Sequence, residues 1–360
     1  MCRQLNGGEW RFLFMNQTAF IGFDGYIDHI LNPISSVSQT HTSHFFQTIH
    51  DFGSYIQSKS GKSCSIQLSP RSTQLGGNAP LFARTLKSLG ISIYLAGMLG
   101  HPDIAPVFLE SFSKEELCSF APPMETNALE FNDGKIMLCQ TAPAYDSPIQ
   151  LIQTAALHGN LSLPELLNSD LLAFLNWGEL YFMHTLWTEL FQTYFKKPKV
   201  ISSHSKYIFF DPADISSRNE NELSEMLELI KSYSLHRYAI LSINENEALQ
   251  LGNKLFNLHS VDTIIHELYK NYSIPEIVIH ANKRTLSLVN HTEYELPTSF
   301  VDKPAISTGG GDNFNAGYAY AKLCSYDPIK CIKSAHLSSS FYISSGTPIS
   351  RDVFLSLMQQ

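Results

Sequence analysis

Ser307-Thr308-Gly309-Gly310-Gly311-Asp312-Asn313-Phe314-Asn315-Ala316-Gly317 is the stretch on which the fold turns. Three consecutive glycines let a backbone turn sharply and approach a ligand without Cβ collisions. Phe314, Tyr318 and Ala321 follow at i, i+4 and i+7, so a helix is expected to start at the glycines. Its free N–H groups and positive dipole end would face back into the loop and form an anion site. A resting phosphate would repel an aspartate there. Asp312 therefore reads either as a group that takes a proton from a hydroxyl while the N–H groups receive phosphoryl oxygens, or as a plain cap on a glycine-rich turn.

Outward from this stretch, short apolar runs alternate with amphipathic ones. Strands are expected over 20–24, 91–97, 180–184, 207–211, 238–243 and 276–281. A helix is expected over 78–90, with Phe82, Leu86 and Leu89 on one face, Asn78 as N-cap and Gly90 as stop. This alternation predicts an α/β fold, a mostly parallel central sheet covered by helices on both faces. Two stretches break it: 35–75, rich in Ser, Thr, Gln and His, and 100–165, with a hairpin signal at Asn132-Asp133-Gly134. No repeat or flexible linker divides the chain, so a single domain over 1–360 is expected, with a small β-rich lid from segments within 35–75 and 100–165.

Composition narrows the class. With 44% hydrophobic and 12% aromatic residues over 360 positions, the chain can build a large core, which excludes disordered and collagen-like classes. The net charge of −8 and the lack of a basic stripe argue against nucleic-acid and membrane-surface partners. Six scattered cysteines fit reduced thiols rather than a disulfide framework or a zinc ribbon. No apolar run reaches the roughly 18 residues of a membrane span, and a cytoplasmic protein is expected.

Three further motifs carry chemistry. Gly76-Gly77-Asn78 opens the 78–90 helix. Asn244-Glu245-Asn246-Glu247 follows an apolar strand, at the carboxyl edge where α/β sheets bind ligands. An Asn and a Glu three apart could hold the water shell of Mg²⁺; the plainer reading is a capped helix start. Asp24 and Asp28, at or after the first strand, could accept hydrogen bonds from sugar hydroxyls or serve a turn. Ser60-Gly61-Lys62-Ser63 lacks the upstream glycine of a P-loop, which is Ile56 here, and no G-x-G-x-x-G or G-x-S-x-G is present. His41, His44 and His50 lack partner carboxylates at clear metal spacing.

In this order the pieces resemble the PfkB/ribokinase family of carbohydrate kinases over roughly residues 18–350. Gly76-Gly77-Asn78-Ala79 through Leu89-Gly90 resembles the N-terminal signature, Thr308-Gly309-Gly310-Gly311-Asp312 through Gly317 the C-terminal one, and Asn244-x-x-Glu247 the N-x-x-E motif. Phe210-Asp211-Pro212 and Arg218 are similar to a family strand end and the arginine beyond it. The resemblance implies an ATP-dependent phosphotransferase acting on a hydroxyl of a sugar, sugar phosphate or nucleoside. Asp312 would be the base, the N–H groups of Gly309, Gly310 and Gly311 the anion hole, and Thr308 a nucleotide contact. Asn244 and Glu247 would organise Mg²⁺ through water, and Asp28, Gly76, Gly77 and Asn78 would contact the acceptor. A lid closing over the substrate and a homodimer through that lid are also implied.

This chain departs from the pattern in three places. Ile306 stands where the family has an aspartate associated with a monovalent-cation site, so activation by such a cation is not carried over. Gly310 replaces an alanine. His280, Asn282 and Thr285 replace the threonine and two glycines of Thr-x-Gly-x-x-Gly, which would alter the nucleotide side of the cleft. A non-catalytic sugar or nucleotide sensor on the same fold is the alternative that these departures keep open.

Overall fold

A computed structural model describes residues 17–158, 161–196, 206–298, 301, 305, 306 and 308–359; Cys2 and Ser307 lie outside them. The strands are β1 (Thr18–Gly22), β2 (Tyr26–Val37), β3 (Ser43–Phe45), β4 (Leu68–Gly76), β5 (Ser92–Gly97), β6 (Leu117–Ser119), β7 (Met124–Phe131), β8 (Gly134–Cys139), β9 (Leu171–Leu175), β10 (Tyr207–Asp211), β11 (Tyr238–Asn244), β12 (Glu276–His280), β13 (Arg284–Val289) and β14 (Thr292–Pro297). The helices are α1 (Ile49–Ser58), α2 (Asn78–Ser88), α3 (Pro106–Leu109), α4 (Pro148–His158), α5 (Leu163–Leu166), α6 (Phe182–Leu190), α7 (Glu220–Ser234), α8 (Glu245–Leu251), α9 (Val261–Tyr272), α10 (Gly310–Leu323), α11 (Pro328–Ser345) and α12 (Arg351–Met358).

Nine strands form the main sheet in the order β14-β13-β12-β11-β10-β9-β1-β5-β6, parallel from β12 to β6 and antiparallel at the β13–β14 edge. Its central strands are apolar on both faces, as a doubly covered parallel sheet requires: every residue of β9 is buried. One face packs Leu86 of α2, Tyr318 of α10, Ile332 of α11 and Phe354 of α12. The other packs Ile152 of α4, Trp187 of α6, Leu227 of α7 and Leu268 of α9. Each such side chain contributes roughly 1.5–3 kcal/mol when fully buried. The strand order reverses between β1 and β9, which opens a crevice at their carboxyl ends.

The smaller sheet runs β3-β2-β7-β8, with β4 also paired to β2. It begins at Tyr26, earlier than composition indicated, because Ile30 and Leu31 give the first half of β2 an apolar side that the polar 35–75 stretch does not show. From 100–165 it takes β7, β8 and the Asn132-Asp133 turn between them, while β6 joins the main sheet.

Two local expectations are corrected. Residues 180–184 do not form a strand; Phe182, Met183, Leu186, Trp187 and Leu190 bury one helical face of α6, and the strand at this point is β9. Asn78 is not the N-cap of α2. Gly77 holds that place at φ 96, a left-handed value that favours glycine, and it brings no side-chain cap. No helix among the described residues is long and apolar enough to cross a membrane, and the described cysteines are free.

Candidate active site

The carboxyl edge of the main sheet gathers polar groups from successive strand ends: Asp24 after β1, Asn176 after β9, Asp211 on β10, Asn244 on β11 and His280 on β12. Asp24 is fully buried and does the capping that Gly77 cannot. Its Oδ2 accepts from the Asn78 amide at 2.7 Å and from Asn176 Nδ2 at 3.0 Å, and its Oδ1 accepts from the Ala79 amide at 2.7 Å. A Cβ on Gly77 would lie 2.9 Å from that carboxylate. Asp24 therefore anchors the glycine turn, which settles it on the structural side of its two readings.

α10 starts from Gly309 at φ 79, and the three glycines serve different ends. Gly309 adopts the left-handed turn, and a Cβ on Gly310 would lie 2.9 Å from Ile343 Cδ1. A Cβ on Gly311 would meet only ordinary contacts, the nearest being His280 Cε1 at 3.7 Å. Gly311 is exposed, so its missing side chain leaves room for something outside the chain. The first-turn amides have no acceptor within their own helix, and a fourteen-residue helix adds its dipole to them. Asn313 ties this terminus to α2: its Oδ1 accepts from Thr85 Oγ1 at 2.6 Å, and its Nδ2 donates to the Gly309 carbonyl at 2.8 Å. Thr308 stands in the bend just before the turn.

Asp312 is not the cap of this turn; it sits in the first helical turn, half-buried, beside other acids. Burial, then the charges of Asp211 and Asp24, hold its carboxyl well above the usual range. Burial likewise pushes Asp24 and Asp211 up to about 6. The Asn78 side chain lies near both Asp211 and Asp312 and lowers each against the effect of burial. Asp211 accepts from Ala213 N at 2.9 Å and from Asn315 Nδ2 at 2.8 Å, and Asn315 Oδ1 accepts from Ser242 Oγ at 2.6 Å.

Asn244 and Glu247 form the capping box of α8, the plainer of the two sequence readings: the Asn244 side chain accepts from the Glu247 amide at 2.9 Å, and Glu247 Oε2 accepts from the Asn244 amide at 2.9 Å. The pair also belongs to the acidic set. Burial and the charge of Asp211 push Glu247 up to about 9, with Asp214 and Asp312 adding to it. No three His, Cys, Asp or Glu side chains among the described residues are placed to hold a metal ion directly. With both Glu247 oxygens already bonded by Asn244, the acidic set suits a divalent cation approached through its water shell rather than ligated directly.

On the far side of Gly310 and Gly311 a cavity of about 840 Å³ opens between Asn244, His280, Asn282, Phe314, His336 and Ile343. His280 does not fill it. The imidazole lies against Phe314, ring centroids 4.7 Å apart, and Phe314 lies 5.8 Å from His336, whose Nε2 is 2.8 Å from Thr285 Oγ1. His280, the one aromatic side chain among the substituted positions, thus builds an aromatic wall with Phe314 and His336, and burial lowers both histidines, His280 to about 4, so the wall is uncharged at neutral pH.

Asp28 lies on the smaller sheet, in a row with Gln74, Thr126 and Cys139 across β4, β2, β7 and β8. Within the row the Thr126 hydroxyl donates to Cys139 Sγ at 3.6 Å, and a Cβ on Gly76 would lie 2.5 Å from the Asp28 carboxylate. Sequence reasoning missed the group that meets this row from the main sheet. Glu179, in the loop after β9, accepts from Asn176 Nδ2 at 3.0 Å and from the Tyr26 hydroxyl at 3.3 Å. The sequence reading singled out neither Asn176 nor Glu179. Arg218 is a buried clamp rather than a ligand contact: it donates to the carbonyls of Trp177, Gly178 and Leu180 and so fixes the loop that carries Glu179.

With this geometry in place, comparison with known proteins gives a consistent answer. The profile of the prokaryotic ketohexokinase family matches residues 13–360. The chain belongs to the prokaryotic ketohexokinase family. A ketohexokinase of Haloferax volcanii is 22% identical over 348 residues, which cover 92% of this chain and 88% of that protein. Among solved structures, Thermotoga maritima ribokinase superposes with a TM-score of 0.65 at 16% identity, over 96% of this chain and all of that one. Arabidopsis thaliana ribokinase, solved with ribose and ATP, gives 0.61 at 13% identity, over 96% of this chain and all of that one. This prokaryotic ketohexokinase family member is a carbohydrate kinase of the PfkB/ribokinase type, with the ribokinase fold and a second small sheet in the lid position.

Proposed function

We propose that the protein transfers the γ-phosphoryl group of ATP to a hydroxyl of a ketohexose. The observation that carries this reading is Asp312 in the first turn of the glycine-led helix, with the Asp28 row on one side and the aromatic-walled cavity on the other. ATP would lie in that cavity with its triphosphate toward Gly310 and Gly311. The acceptor would lie between Asp28, Asn78 and the Gly76-Gly77 turn.

In the step proposed, the acceptor oxygen forms a bond to the γ-phosphorus as the bond to the β,γ-bridging oxygen breaks. The electron pair leaves with ADP, and the acceptor proton passes to Asp312. The first-turn N–H groups receive the developing charge on the phosphoryl oxygens, a preformed set of donors that needs no rearrangement. Asn244 and Glu247 would hold Mg²⁺ through water, and the ion supplies neutralisation of the triphosphate charge. The smaller sheet would close over the acceptor and keep water from taking its place.

A coupled ADP-release assay with ATP and Mg²⁺ tests this against ketohexoses, aldoses, sugar phosphates and nucleosides, with Asp312→Asn as blank. Release that depends on a ketohexose and disappears in the variant supports the reading. Tight ATP binding without release on any acceptor would replace it with the sensor.

A further inference from the structure

We infer that Glu179 is a second carboxylate that grips the acceptor, meeting Asp28 from the opposite sheet, and that it sets which ketohexose hydroxyl pattern the site accepts. The inference rests on the proposed kinase reading and adds to it a residue that no sequence motif marks.

Three observations carry it. The first is the construction of the loop. Asn176 adopts φ 57, and its amide donates to the Asp211 carbonyl at 2.8 Å; the Gly178 amide donates to the Pro212 carbonyl at 2.7 Å. A side chain on Gly178 would strike the Asp214 carbonyl, and the Arg218 guanidinium holds the carbonyls on either side of Glu179 while lying 4.3 Å from the Trp177 ring. A surface turn that only joined β9 to α6 would need none of this. Over-determined backbone of this kind holds one side chain to one place.

The second is what is held. Within the 176–180 loop Glu179 is the one ionisable residue, and it stays exposed although Asn176 and Tyr26 both bond its Oε2. Its remaining carboxylate lone pairs are free to accept from a ligand hydroxyl. Behind it, Asn176 is fully buried and its Nδ2 bridges the Asp24 and Glu179 carboxylates, which ties the position of Glu179 to the glycine turn.

The third is what it faces. Burial comes first in raising Asp24, Tyr26, Asp28 and Cys139, and the charge of Glu179 adds to it at all four. Tyr26, whose hydroxyl donates to Glu179 at 3.3 Å, opens the strand that carries Asp28, so Glu179 stands at the end of the smaller sheet beside its polar row. Hydroxyls donate well to carboxylates, whereas a phosphate ester would be repelled by Glu179 and Asp28 together. The pair therefore suits an uncharged polyol.

The test compares Glu179→Gln with wild type, using D-fructose and its monodeoxy analogues as acceptors. Turnover and ATP-free binding, the latter by calorimetry, are both measured. The expected result is a rise of about 10- to 100-fold in the KM for D-fructose, the range for losing a hydrogen bond to a charged group. The KM for ATP should stay within about threefold. Binding of D-fructose should weaken by the same factor, and the variant should lose the wild type's discrimination against one of the deoxy sugars. Tyr26→Phe, which frees Glu179 without removing it, should give a smaller rise in the same KM. Active variants whose KM for D-fructose lies within twofold of wild type would overturn the grip and leave the kinase reading intact. Binding that weakens in Glu179→Gln, with no ADP release even from wild type, would keep the grip and overturn the kinase reading. A wild type that neither binds nor phosphorylates D-fructose overturns both.

Discussion

Asp312 shows how one residue sets stability against function. It is placed where burial and two neighbouring acids disfavour its charge, yet a base must be ionised to accept a proton. The resting protein therefore carries a penalty at this position, which under the proposed function the bound substrates and their cation would relieve. Asp312→Asn should lower acceptor-dependent turnover by about 10²- to 10⁴-fold, the usual span for a lost general base. The same substitution should raise the melting temperature of the ligand-free protein, by roughly 2–4 °C for each 1 kcal/mol relieved. The gain should be largest near pH 8 and fade toward pH 5, where the wild-type carboxyl is already protonated. Parallel activity and thermal-melt measurements check both halves. A variant that is less stable at pH 8 would show that the carboxylate is satisfied by something other than a substrate or cation.

Among the elements, α2 shows most clearly what holds the site together. Its first two amides are bonded by a carboxylate fifty-four and fifty-five residues away, so the end of β1 and the glycine turn are fixed as one piece. Asp24→Ala would leave those two amides and one of the two N–H groups of Asn176 Nδ2 without an acceptor, at about 1–3 kcal/mol each, partly offset by removal of a buried charge. A net loss of about 2–4 kcal/mol is expected in denaturant unfolding, with Asp24→Asn losing less because one acceptor oxygen remains. An unfolding midpoint equal to wild type for Asp24→Ala would dismiss the anchor. This element also shows how far the sequence could be read. Helical spacing and the flanking glycines marked α2, α10 and the strands that feed them, because those signals are local. The apolar 180–184 run reads as a strand on its own, and the structure makes it the start of a helix because Leu186, Trp187 and Leu190 continue it at helical spacing. Asp24 and Asp28 sit four apart with the same chemistry, and only the fold separates the cap from the row on the lid. Asn176, Glu179 and the clamp role of Arg218 had no local signal, since tertiary contacts 152 and about forty residues away in sequence define them.

Across the whole molecule, the acids at the carboxyl edge make a pH signature that other groups do not obscure. A carboxyl whose folded pKa is raised binds its proton more tightly in the native state, so its contribution to stability is full at low pH and is lost as pH rises through the folded value. Asp24, Asp28 and Asp211, at about 6, have largely completed this change by pH 6.5. His236, His280 and His336 run the other way: lowered in the native state, they favour folding as pH rises through their ordinary value near 6.5, and above it each adds no more than about 0.4 kcal/mol. The buried thiols of Cys118 and Cys331, both at about 12, begin to matter only when unfolded cysteines ionise, close to pH 9. Between pH 6.5 and 8, then, Glu247, at about 9, outweighs the histidines, since it keeps its extra native proton across the window, and the raised carboxyl of Asp312 acts in the same direction. Ligand-free stability should fall across that window by on the order of 1–2 kcal/mol for Glu247 alone, since a group binding one extra proton in the native state contributes about 1.4 kcal/mol per pH unit. Glu247→Gln should flatten the fall, and Asp312→Asn should reduce it further when combined. Urea unfolding at pH 6.5, 7.25 and 8 measures the slope directly. A stability that rises across the window in wild type would mean that a cationic group, and not the acid cluster, governs this edge of the sheet.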